Sequence, residues 1–205
     1  MSNLNYTDAE LNLKIVYYGT GLGGKTTNLR SIHAALNPER KGKIMSLATD
    51  LDQTLFFDFF PVDLGSVKGW KLRYHLYTVP GQIYYNASRK LVLKNVDGLV
   101  FVVDSQEERL DDNIENYNNL KQNLADYNLH LEDIPMVIQY NKRDLPNILA
   151  ISDLQLHLNK GGYTYFESVA IRGIGVFDTL KSICHLTQLK HIDQLPDLLT
   201  QKGNT

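Results

Sequence analysis

The stretch that decides the fold is YYGTGLGGKTTNLR, residues 17–30. An apolar run, residues 13–18, precedes it and reads as a strand, while residues 25–36 carry helical spacing up to Asn37-Pro38. Between them, Gly19, Gly24, Lys25 and Thr26 fit G-x-x-x-x-G-K-[ST] at every fixed position. That pattern, after a strand and opening a helix, is a phosphate cradle. Its glycines let the backbone fold tightly, so that several N–H groups converge on one anion. The helix N-terminus adds the positive end of its dipole. Lys25 can place its ammonium on the β- and γ-phosphates, and the Thr26 hydroxyl can ligate Mg²⁺, which prefers oxygen donors. Gly21, Gly23, Gly24, Lys25, Thr26 and Thr27 are the expected nucleotide contacts.

A second signal names the base. Asn141-Lys142-Arg143-Asp144 follows an apolar run ending at Tyr140, at the carboxyl edge where α/β sheets bind ligands. The Asp144 carboxylate can accept from both N1–H and the 2-amino group of guanine. Adenine has an acceptor at N1 and no amino group at C2, so the carboxylate would go unpaired. That disfavours ATP by about 2 kcal/mol or more. Asn141 can serve guanine N7 and tie this turn to the phosphate loop, and the Lys142 stem can cover the base face.

The rest of the chain supplies the frame. Residues 70–78 alternate, Trp70, Leu72, Tyr74 and Leu76 against Lys71, Arg73, His75 and Tyr77, which predicts one buried and one wet face. Residues 55–60 read as a strand paired with them, with Pro61, Gly65 and Gly69 in the connecting loop of an antiparallel hairpin. Residues 43–49 read as a weak strand or loop. Residues 99–103 and 136–138 are apolar at every position, as in parallel strands covered on both faces. Helical spacing marks residues 112–127, residues 152–158 with Ser152 as N-cap, and the stripe Val176, Leu180, Ile183; residues 163–168 form a last strand. The expected fold is α/β, a phosphate-loop domain with a mostly parallel sheet, one antiparallel hairpin and helices on both faces, spanning residues 1–195 as one unit before a loose tail at 196–205.

Composition narrows the function classes. Over 205 residues, 43% hydrophobic and 21% charged content with a net charge of −2 leave no basic footprint for nucleic acid or an anionic membrane. The single cysteine, Cys184, reads as a small buried hydrophobe and fits a cytoplasmic setting. The longest purely apolar run is far too short to span a bilayer, and no signal peptide or lipidation motif is visible, so no intrinsic membrane anchor is expected. The six histidines do not cluster at metal-ligand spacing.

With these residues in hand, the sequence resembles the Ras-like small GTPases, and most of all the bacterial MglA (gliding protein A) family. The segments KIVYYGTGLGGKTTNL, TLFFDFFP, HLYTVPGQIYYNASRKLVLKNVDGLVFVVDSQ, VIQYNKRDLPN and GVFDTLK carry the likeness over about residues 5–190. The resemblance implies a switch cycling between GTP and GDP with Mg²⁺. The alternative is a GTP-binding polarity scaffold that hardly turns its nucleotide over. It further implies that the Gly81 N–H senses the γ-phosphate, Gln82 orients the attacking water, Thr54 reaches Mg²⁺ and the γ-phosphate, and the Ala170 N–H meets guanine O6.

Two departures stand out. Thr78 occupies the place where most small GTPases carry an Asp that holds a water on Mg²⁺, as is usual in the MglA family. Asp58 is either the compensating carboxylate or a solvated strand position. Gln53 stands where MglA proteins usually place an internal arginine finger, a group worth about 10³- to 10⁵-fold, so slow intrinsic turnover is expected. A partner could supply the arginine, or Arg89 could move in; otherwise Arg89 is a surface ion pair. The phenylalanines of TLFFDFFP either pack under a helix, Phe56 and Phe60 among them, or form a partner surface. By resemblance the partners are a roadblock-domain GTPase-activating protein and polarity effectors, the site of action is a cell pole, and the chain alone is a monomer.

Overall fold

A computed structural model describes residues 3–47, 57–81, 85–193 and 195. Gln53, Thr54, Phe56, Gln82 and the 196–205 tail lie outside them. Thirteen elements follow in order: β1 (Asn3–Asn5), β2 (Glu10–Gly19), α1 (Lys25–Ala35), β3 (Met45–Leu47), β4 (Phe57–Val67), β5 (Trp70–Thr78), α2 (Asn86–Leu93), β6 (Gly98–Asp104), α3 (Leu110–Ala125), β7 (Met136–Asn141), α4 (Ile151–Leu158), β8 (Thr164–Glu167) and α5 (Val176–Ile192). The sheet runs β3-β4-β5-β2-β6-β7-β8, with β1 also beside β2. From β5 to β8 every neighbouring pair is parallel, whereas β3–β4, β4–β5 and β1–β2 are antiparallel.

Two cores sandwich this sheet. Leu11, Leu13, Ile15 and Tyr17 of β2 pack with Leu29 and Ile32 of α1 and Val176, Leu180 and Ile183 of α5. Val16 and Tyr18 point the other way, to Val92 and Leu93 of α2, Leu120 and Leu124 of α3, and Leu154 and Leu158 of α4. Strands β6 and β7 are buried at every residue because both faces are covered. In β5 the expected alternation holds: Trp70, Leu72, Tyr74 and Leu76 enter the first core, and their neighbours stay partly wet or exposed. Phe60 is buried in that core, edge-on to His33 of α1, while Phe59 stacks on Tyr77 from the opposite face. Cys184 is buried, and burial pushes its thiol up from the ordinary range.

The hairpin differs from its expected shape. Pro61 and Gly65 lie inside β4, and the turn is only Lys68-Gly69, both at positive φ. Such a two-residue turn matches the twist of the flanking strands. Gly65, with φ +106, falls where the register shifts between Asp63 and Ser66, so a bulge absorbs it. Pro61 has no N–H to give, yet its carbonyl still accepts from Gly42 N–H at 3.0 Å. Helix α4 starts one residue earlier than expected, with Ala150 as N-cap, so Ser152 lies inside the first turn and does not cap it. Helix α2 carries no clear sequence signal, since its eight residues include the buried Arg89 within the apolar stripe.

Parallel pairing sets the site. Strands β5, β2, β6 and β7 all end at one edge, which brings together the segments beginning at Thr78, Gly19, Asp104 and Asn141.

Candidate nucleotide site

The turn between β2 and α1 is a tight anion nest. Gly19, Leu22 and Gly24 have φ of +139, +62 and +103, and Gly23 N–H closes on the Thr20 carbonyl at 3.3 Å. Gly19 requires its glycine twice over, because a Cβ there would overlap the Val102 carbonyl of β6. Leu22 adopts a left-handed conformation with its side chain 91% exposed, so backbone geometry and not packing sets it.

Lys25 opens α1 and is only 6% exposed. Its ammonium donates to the carbonyls of Gly19 (2.9 Å) and Thr20 (2.7 Å). It makes no ion pair among the described residues. Burial first, and then the nearby Arg89 guanidinium, pull its pKa from 10.5 down to about 7. A buried cation held only by neutral carbonyls is matched to an incoming anion, whose charge would offset the desolvation. Beneath it, Asn28 of α1 accepts from Gln139 of β7, which also donates to Thr179 of α5, both at 3.0 Å. This buried polar link fixes the helix that presents Lys25, Thr26 and Thr27.

The second switch root arrives from β5. Gly81 lies against the loop: a Cβ built on it would come within 2.6 Å of Gly21 N and 3.0 Å of Lys25 Nζ. Thr78 accepts from Asp58 N–H at 2.8 Å, which sets Asp58 level with Thr78 on the neighbouring strand.

The turn that follows β7 is tied to the loop between β2 and α1. Asn141 Nδ2 donates to the Gly23 carbonyl at 2.9 Å, and its Oδ1 accepts from Ser168 Oγ (3.0 Å) and Ala170 N–H (2.9 Å). The Ala170 N–H is therefore engaged with Asn141 and would meet guanine O6 only by sharing. Lys142, at φ +64, sends its ammonium to Asp104 Oδ2 at 2.6 Å, which leaves its methylene stem as the part able to cover a base. Among the described residues Asp144 meets only a loose, solvent-facing pair with Arg172 at 3.7 Å. Thr27 and Ala170 line one groove of ≈ 610 Å³ beside α1.

The expectation for Arg89 needs correction. It is fully buried, with Nη2 2.5 Å from Asn116 Oδ1 and its guanidinium carbon 4.4 Å from the Tyr18 ring centroid. It is therefore not a surface ion pair. Sequence reasoning also missed Arg109 and Asp104. Arg109 Nη2 donates to Thr20 Oγ1 and to the Gly21 carbonyl, both at 3.0 Å. Asp104, fully buried, serves Lys142. The available signal was an acidic residue ending an otherwise apolar strand at the ligand edge.

A glycine-rich turn holding a buried lysine and a second turn tied to it, set on strand ends of one mixed sheet, are the frame of small GTPases, and this fold is of that class. The ADP-ribosylation factor family model matches residues 2–186, and the chain belongs to that family. Mutual gliding-motility protein MglA of Myxococcus xanthus (strain DK1622) is 55% identical over 192 residues, covering 93% of this chain and 98% of that protein. The resemblance read from the sequence is borne out, and the chain is a guanine-nucleotide switch that hydrolyses GTP.

Proposed function

We propose that this GTPase is a cell-polarity and motility switch of the MglA kind, active at a cell pole in its GTP form. The observation that supports its nucleotide chemistry most directly is Lys25, buried, unpaired with any carboxylate among the described residues, and aimed at loop carbonyls. In this reading residues 1–195 act as one G domain. Lys25 binds the β- and γ-phosphates, with Gly21, Gly23, Gly24 and Thr27 around them. Asn141, Lys142, Asp144 and Ala170 hold guanine.

Mg²⁺ fits the donor chemistry, since hydroxyl and phosphate oxygens suit a hard cation that keeps several waters. Thr26 and Thr54 would hold it, and when bound it neutralises charge on the phosphates. Gly81 reads the γ-phosphate and Gln82 orients water. Gln53, a neutral amide, cannot offset charge growing on the phosphoryl group, so intrinsic turnover is slow. The partners are a roadblock-domain activating protein and effectors that distinguish the two nucleotide states. No helix among the described residues is long and apolar enough to cross a membrane, and where the protein visits a membrane, a partner takes it there.

Nucleotide released from purified protein and separated by chromatography tests the site, with GDP or GTP expected and ATP contrary to it. Fluorescent imaging of the tagged protein in cells tests the polarity reading: polar foci lost on GTP hydrolysis are expected, and uniform fluorescence in both states would overturn it.

A further inference from the structure

We propose that Arg109 is a positioning residue of the phosphate loop, polarising the Gly21–Leu22 peptide so that Leu22 N–H grips a nucleotide phosphate more strongly. This rests on residues 19–26 being the phosphate site.

Arg109 lies just ahead of α3, far from the loop in sequence, yet one of its nitrogens meets two loop acceptors, Thr20 Oγ1 and the Gly21 carbonyl, each at 3.0 Å. Its other terminal nitrogen is held by Asp112 at 2.5 Å, and Asp104 Oδ2 lies 3.9 Å from its Nε. Two carboxylates thus aim the guanidinium at the loop from behind. A pair with Asp112 alone would be an ordinary exposed helix contact of little consequence. It would not require the side chain to reach a segment 88 residues earlier.

The Gly21 carbonyl and the Leu22 N–H belong to one peptide unit. A charged donor on the carbonyl draws electron density along that unit and makes the amide at its other end a better donor. Leu22 is left-handed and its side chain is almost wholly exposed, so its backbone is what the position contributes. The Gly21 residue that Arg109 meets through its carbonyl also faces Gly81, whose built Cβ would come within 2.6 Å of Gly21 N on its other side. The buried Asp104 carboxylate also accepts from Lys142 at 2.6 Å, so Lys142 and Arg109, which reach towards different loops, share one acid. Arg89 cannot serve in its place here, being committed to Asn116 and Tyr18.

The test compares wild type with Arg109→Ala, Arg109→Gln and Arg109→Lys by release of fluorescent GDP and a GTP analogue, and by single-turnover phosphate release. Ala and Gln are expected to speed release of both nucleotides about tenfold or more. Lys, which keeps the charge, is expected within about threefold of wild type. Added guanidinium ion should slow release from the Ala variant and leave wild type unchanged. A Gln variant that holds nucleotide as wild type does would overturn the proposal. So would a Lys variant as impaired as Gln, because charge would then not be the cause. Should the Ala variant not fold, the Gln and Lys pair decides. Wild type that takes up no nucleotide would instead overturn the phosphate site itself.

Discussion

Asn141 Nδ2 donates to the Gly23 carbonyl at 2.9 Å, joining two loops 118 residues apart in the chain. The same amide accepts from Ser168 and Ala170, so one side chain holds the loop between β2 and α1 and the loop after β8 in a single arrangement. Removing it strands buried donors and an acceptor, at about 1–3 kcal/mol for each unsatisfied group. Asn141→Ala is therefore expected to release GDP at least about thirtyfold faster and to lower the melting temperature. Stopped-flow release of fluorescent GDP and a thermal melt measure both. Release at the wild-type rate would mean that the tie has no part in holding nucleotide.

Among the described residues Asp144 has only a loose pair with the exposed Arg172, which leaves its carboxylate largely uncommitted. Asp144→Asn replaces an acceptor by a donor, which opposes the 2-amino group of guanine and suits the O2 of xanthine. GTP affinity should fall by about 2 kcal/mol, roughly thirtyfold, and xanthosine triphosphate affinity should rise. Competition of the two nucleotides against a fluorescent probe measures this. Undiminished GTP affinity would remove Asp144 from the base site.

Gly81 has no room for a side chain, because a Cβ would meet the backbone of Gly21 and not the yielding end of a flexible group. Gly81→Ala must push the β5 root away from the phosphate loop. GDP binding is expected within about threefold of wild type, while single-turnover GTP hydrolysis falls at least about tenfold, or about 1.4 kcal/mol. Equal loss of both would show general damage to the loop, and loss of neither would exclude close approach of Gly81 during the reaction.

His75 gives a prediction about pH. Burial, and then the neighbouring Arg73, lower its pKa from 6.5; Nε2 lies 2.7 Å from Asn12 Oδ1 and the ring stacks on Phe59. The folded state thus binds this proton less readily than the unfolded chain. Its contribution to stability is complete above about pH 6.5 and is lost as pH falls through the depressed folded value. The urea midpoint should drop between about pH 7 and 5, and less steeply in His75→Gln. Parallel pH profiles for the two proteins would assign the loss to other groups.

How far the sequence reaches is clearest at individual residues. Gly19, Gly24, Lys25 and Thr26 announce their turn because phosphate binding needs that spacing whatever surrounds it. Alternation at Trp70, Leu72, Tyr74 and Leu76 and the solid apolar run 99–103 report, correctly, a one-sided and a two-sided strand. Pro61 and Gly65 mislead, because a bulge and a carbonyl-only contact let a strand contain residues that usually end one. Arg89 misleads in the opposite sense, since a charged residue inside a short helix looks solvated until Tyr18 and Asn116 are brought over it by the sheet. Arg109 and Asp104 look like an ordinary charged helix entry, and only parallel pairing of β2, β6 and β7 puts them between the phosphate and base loops.

Gln53 is where kinetics and sequence meet. MglA-like sequences usually carry arginine there, and an arginine finger is worth about 10³- to 10⁵-fold in phosphoryl transfer because its charge offsets that growing on the transferred group. Among the described residues, Arg89 is buried against Asn116 and Arg109 is engaged with the Gly21 carbonyl, so neither is free to take that part in this arrangement. Gln53→Arg is expected to raise single-turnover GTP hydrolysis at least about a hundredfold while leaving GDP affinity within about threefold. Quenched-flow measurement of phosphate release from preloaded GTP reads the first, and fluorescent GDP release the second. A variant no faster than wild type would mean that position 53 does not reach the transition state, and that slow turnover, where measured, has another origin.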